Sequence, residues 1–151
     1  MQLGTSWKQM PVPEDVTKHL EFVQNVIARM AGNSFLLKGW TVTLSAALFA
    51  LAAKDSNPLF AVIALVPAIA FWSLDAFYLR LERMYRCLYD NLRKATDEEL
   101  RGVEPFSMAV DQYSEQVDGL VRTMFTGSVL GLHGTLVLTI AVVILYLVSK
   151  G

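Results

Sequence analysis

Residues 35–79 read FLLKGWTVTLSAALFALAA-KDSNP-LFAVIALVPAIAFWSLDAFYL. The first 19 residues, Phe35 to Ala53, hold one charge, Lys38. A polar turn follows, Lys54-Asp55-Ser56-Asn57-Pro58, of the type that punctuates helices. Leu59 to Leu79 is then apolar except for Asp75 and a Pro67 that predicts a kink. A helix of about 20 apolar residues crosses the hydrocarbon core of a bilayer, so the stretch predicts a transmembrane hairpin spanning 35–53 and 59–79. A third run, 125–149, has His133 as its only ionisable residue. No alternation of period two competes with these helical signals. The expected fold is an all-α integral membrane protein with three transmembrane helices in one membrane domain, 1–151.

The flanks extend the helices. Residues 1–33 predict an irregular arm followed by an amphipathic helix opening at Pro13, Glu14 and Asp15, where proline and acids suit a first turn. Val16, Leu20, Val23, Ile27 and Met30 follow at spacings of 4, 3, 4 and 3, the rhythm of a helix packed on another helix. Gly32 and Asn33 suit a stop there, and Ser34 a cap for the first span. Beyond the second span, Leu81, Met84, Leu88 and Leu92 continue a helical stripe to Lys94. The helix 59–94 would then be about 54 Å long, with roughly 20 Å outside the bilayer. Thr96 and Glu99 have capping-box spacing. A further helix is expected from Ser107 to Met124, its apolar face Val110, Tyr113, Val117, Leu120, Val121 and Met124, running into the third span.

Outside the spans, ten basic residues flank one side: Lys8, Lys18 and Arg29 before the first span, and Arg80, Arg83, Arg86, Arg93, Lys94, Arg101 and Arg122 between the second and third. The other side has Lys54 and Lys150. The positive-inside rule therefore puts the N-terminus and residues 80–122 in the cytoplasm, with the 54–58 turn and the C-terminus outward. Residues 1–33 contain Glu14, Asp15 and Glu21 and have no apolar core of signal-peptide form.

Three constellations are candidates for function. Lys38 and Asp75 are an intramembrane pair: in an antiparallel hairpin their midpoint falls between Ser56 and Asn57, so both lie at one depth. Such pairs gate a pathway or, more plainly, fix the fold, with Lys38 reaching to the interface. Gly127, Gly131, Thr135 and Thr139 recur every four residues on the third span, with His133 close by in sequence. That stripe either packs helices or lines a pore. Arg80, Arg83, Arg86, Arg93 and Lys94 form a basic row with Tyr78, Tyr85 and Tyr89 nearby. In an oligomer the row would ring a vestibule for an anionic nucleotide or short nucleic acid; alternatively it anchors the helix at the membrane surface, partly neutralised by Glu82 and Asp90. The net charge of −1 points to no bulk anionic partner. Cys87 is the sole cysteine and is read as an inert thiol, and the two histidines, His19 and His133, fall on different elements. With no phosphate loop, HExxH, nucleophile elbow or CxxC motif, no enzyme activity, metal or cofactor is expected.

Residues 18–48, KHLEFVQNVIARMAGNSFLLKGWTVTLSAAL, carry a resemblance in the pieces HLEFVQ, RMAGNSF and KGW, about a fifth of the chain. They resemble small bacterial membrane proteins of defence loci that contain a nucleotidyltransferase, of the Hailong type. The resemblance implies a homo-oligomeric inner-membrane channel; a tetramer is one candidate, and the sequence does not give the subunit number. A nucleic-acid-like oligomer made by the nucleotidyltransferase holds it closed; phage infection removes the ligand, and the opened channel depolarises the cell. It transfers no gating residues. The competing expectations are a non-conducting membrane anchor or scaffold that recruits a cytoplasmic partner and, more weakly, a small transporter, for which so short a chain would have to oligomerise.

Overall fold

The computed structural model describes residues 14–55, 58–96, 99–100 and 106–150. The N-terminal arm and most of the short helix after Thr96 fall outside these residues. Every regular element among the described residues is helical: α1 (Glu14–Asp55), α2 (Pro58–Ile63), α3 (Leu65–Lys94), a 3-10 turn (Asp111–Tyr113), α4 (Leu120–Met124) and α5 (Gly127–Lys150). Three helices are long and apolar enough to cross a membrane, lying in Glu14–Asp55, Leu59–Lys94 and Gly127–Ser149.

The 42 residues of α1 make a rod about 63 Å long at 1.5 Å per residue. The helix runs straight through Gly32 and Asn33, where the sequence predicted a stop. An interior glycine costs a helix only about 1 kcal/mol, and α1 is tied to α3 on both sides of it. Below, Leu20, Val23 and Ile27 join Leu81, Met84, Leu88 and Leu92 in one apolar cluster. Above, Ser34 and Lys38 bond Asp75. Ser34 is thus a partner of α3 and not a helix cap. The antiparallel register of α1 on α3 is fixed by two hydrogen-bonded pairs, Lys38–Asp75 and Gln24–Tyr89, both centred in sequence between positions 56 and 57.

Pro67 interrupts the second span one turn upstream of itself. Its missing N–H and its ring both act on the carbonyl four residues back, at Ile63, and α2 and α3 are separated by the single residue Ala64, which keeps helical dihedrals and an amide bond to the Phe60 carbonyl at 3.1 Å. Small residues then let the helices close. Ala52, Ala61, Ala64, Ala68 and Ala76 are at most 1% exposed, and Ala64 and Ala68 receive Ile140 of α5.

The helix expected over Ser107–Met124 is largely absent. Residues 106–119 wrap α3 as an irregular segment holding only the 3-10 turn, while Val110 and Tyr113 still enter the α1–α3 cluster. Arg80 supplies the reason: its Nε and Nη2 donate to the carbonyls of Asp118 (3.2 Å) and Ser114 (3.3 Å), a role that helical amides would otherwise fill. His19 pins the segment to α1 by donating from Nε2 to the Ser107 carbonyl at 2.9 Å. Phe106, at φ 60°, sets its ring at a tilt to His19 and edge-on to Phe22. The capping box forms: the Thr96 amide and hydroxyl donate to Glu99, whose own amide turns back to Thr96 Oγ1. Those bonds, the amide's first, hold the Glu99 carboxyl below its ordinary range. Its stabilisation is therefore present at neutral pH and lost as pH falls through that lowered value.

A Cβ at Gly32 would meet no atom within 4 Å, and its φ is not positive. Gly32→Ala should raise stability by about 0.5–1 kcal/mol in detergent unfolding; a loss would mean that α1 is broken there. Leu88→Ala, at a site 4% exposed, should cost about 2–5 kcal/mol.

Candidate polar site between the spans

Asp75 is fully buried on α3 and gathers groups from both other spans. From α1, Lys38 Nζ lies 2.6 Å from Oδ2 and 2.7 Å from Oδ1, and Ser34 Oγ donates to Oδ1. Lys38 also donates to Ser34 at 2.7 Å, the two being one helical turn apart. From α5, His133 Nε2 approaches Oδ2 at 3.1 Å. A carboxylate only accepts, so this contact requires the proton on Nε2. His133 is itself 0% exposed, and its Nδ1 has no hydrogen-bond partner.

Trp72 braces the histidine. It lies one turn before Asp75 on α3, its ring stacked on His133 with centroids 6.2 Å apart and an 8° interplanar angle. Its Nε1 donates to the Met124 carbonyl at 3.0 Å, and Phe125 meets its ring edge-on. One side chain therefore fixes both the histidine and the α4–α5 junction.

The Gly/Thr stripe lies elsewhere. At about 100° per residue, His133 falls on the side of α5 opposite Gly127, Gly131, Thr135 and Thr139. Those four residues are exposed. A Cβ at Gly127 or Gly131 would meet nothing within 4 Å. Thr135 and Thr139 donate back to the carbonyls of Gly131 and Thr135, so their hydroxyls are satisfied within the helix. Gly131, Thr135 and Thr139 line a groove of about 350 Å³ with Val42, Leu132 and Leu136.

The basic row is internally compensated. Arg80 holds backbone carbonyls, Arg83 meets Asp118 at 3.2 Å, and Arg93 meets Asp90 at 3.3 Å. Arg86 grips Glu82 through Nε (2.9 Å) and Nη2 (2.6 Å). It remains 62% exposed and borders two cavities of about 320 and 480 Å³. Lys94 lines a separate cavity with Glu99, Gln112 and Tyr113. Among the described residues no three His, Cys, Asp or Glu side chains are grouped to hold a metal.

The sequence paired Lys38 with Asp75 but did not join Ser34 and His133 to them. Both carried a signal: Ser34 is one turn from Lys38, and His133 is the only ionisable group of its span. The bracing role of Trp72 had none. Comparison of the chain with protein-family models, with curated proteins and with solved structures finds no match.

Removing one partner of a buried ion pair strands the other and costs about 3–5 kcal/mol. Lys38→Met should lose stability on that scale, and adding Asp75→Asn, which removes the stranded charge while its amide can still accept from His133, should recover part of it. A double variant no more stable than the single one would show that the stranded charge is not the cause.

Proposed function

We propose that this chain is a homo-oligomeric ion channel of the bacterial inner membrane and an anti-phage effector. The observation that carries the oligomer is the exposed Gly127, Gly131, Thr135 and Thr139 stripe on a helix able to cross a membrane. In lipid no hydrophobic effect drives helices together, and small residues that permit close backbone approach do so instead. α5 is packed mainly against α2 and α3, with α1 touching it more sparsely beside the stripe at Val42, and the exposed stripe is a surface open to a second copy or to a pore. The gating reading rests on the resemblance: an anionic nucleotide or oligonucleotide, made by a partner nucleotidyltransferase, closes the channel, and its loss depolarises the membrane. Within the basic row, Arg86 is the residue best placed to receive that ligand, because it is exposed beside two cavities. The N-terminus and residues 80–122 face the cytoplasm in this reading, and the C-terminus faces outward.

A second reading has specific support. Residues 80–122 carry seven basic and nine acidic residues, and Arg80, Arg83, Arg86 and Arg93 all have partners within the chain. A non-conducting anchor that recruits a cytoplasmic partner through this segment fits that balance better than a receptor for polyanions does.

Planar-bilayer recordings of the purified protein, with and without short DNA oligomers, separate the two. The channel reading expects current that the oligomers block and that Arg83→Glu with Arg86→Glu frees from block without preventing insertion. Silence from inserted, oligomeric protein would leave the anchor. Independently, Thr135→Cys in a Cys87→Ser background should form disulfides between copies in the membrane when molecular iodine is added as the two-electron oxidant. An intact oligomer that never cross-links would remove the stripe from the interface.

A further inference from the structure

The Asp75 cluster contains one group that the ion pair alone does not need. Lys38 already balances the carboxylate, yet His133 is buried against it at full cost, with Nδ1 unpartnered. The charged groups that meet His133 are few. Asp75 faces it from α3, and Lys38 of α1 shares the same carboxylate. Of the smaller helices, α2 has no ionisable residue, and Arg122 of α4 is 83% exposed and turned to Asp118.

From this geometry we propose that His133 is a proton-operated lock on the third span. With the imidazole neutral, Nε2–H donates to Asp75, and Nδ1 presents a bare lone pair to its apolar surroundings. A proton added at Nδ1 creates a buried N–H with no acceptor and a second positive charge beside a carboxylate that Lys38 has already neutralised. Neither is relieved while α5 stays seated. Turning or parting α5 from α3 brings Nδ1–H to water and breaks the Nε2–Asp75 bond, so acid unlocks α5 while Lys38 and Ser34 keep α1 on α3. The cluster is least covered on its Lys38 side, where that side chain is 23% exposed. Histidine is the side chain suited to respond within the physiological range, and one helix with two seatings is the bistable element such a switch requires.

Trp72, stacked on the ring, is the built-in reporter, since an imidazolium quenches indole emission more strongly than an imidazole does. The test uses full-length protein carrying Trp7→Phe and Trp40→Phe in lipid nanodiscs, titrated from about pH 8 to about pH 5. Two readouts are taken: Trp72 emission, and amide hydrogen exchange of residues 128–140 against residues 35–53. The expected result is a reversible, single-proton change in emission together with faster exchange confined to 128–140. His133→Gln, whose amide still donates to Asp75, should be flat in both, with His133→Asn as the second variant should Gln not fold. Three results would overturn the lock: no pH response in the parent protein, the same response without His133, or an emission change with unaltered exchange. No arm depends on conduction, so the lock stands or falls separately from the channel reading.

Discussion

The constraint on which the rest depends is the satisfaction of one buried carboxylate. Asp75 offers about four lone-pair positions, and Ser34, Lys38 and His133 occupy them from two other helices. Apolar packing between spans is permissive, because lipid tails solvate a leucine as well as a neighbouring helix does. Helices held only by that packing can slide and rotate at little cost. A carboxylate with directional partners removes both freedoms: it sets the α1–α3 register, and it fixes which face of α5 turns inward.

Two kinds of packing build outward from that point. Toward the turn, alanines bring the helices into near-backbone contact, and Ile140 fills the remaining space. Away from it, α1 and α3 continue as a pair around a core of Val23, Met84, Leu88, Leu92, Val110 and Tyr113. Because α1 is unbroken through Gly32, it joins these regions as one rod, and a displacement at either end is transmitted along it. Arg80 and Asp118 complete the outer region by converting a potential helix into a strap around α3.

How much of this the sequence disclosed follows from which forces act locally. Run length and spacing revealed the three apolar helices, the α1–α3 stripe and the Thr96–Glu99 cap, because each depends on neighbours three or four residues apart. Symmetry about the turn placed Lys38 opposite Asp75 by the same reasoning. Gly32–Asn33 misled because a stop signal worth about 1 kcal/mol was set against tertiary anchors that a linear reading does not weigh. The segment 107–124 misled more deeply. Its apolar spacing is helical, but its carbonyls are claimed by Arg80, some 35 residues away in sequence. His133 was assigned to the stripe by proximity in sequence, although helical phase already put it on the far side.

That phase difference gives α5 its character. One face carries a histidine locked to α3, and the other presents small residues to whatever lies outside the three-helix unit. A helix rotates as a whole, so the angle at which Gly131 and Thr135 are presented is set by the bond between His133 and Asp75. An oligomer or pore built on the outer face would inherit its geometry from that buried contact. The contact that holds the third span against α3 therefore also determines which face that span turns outward.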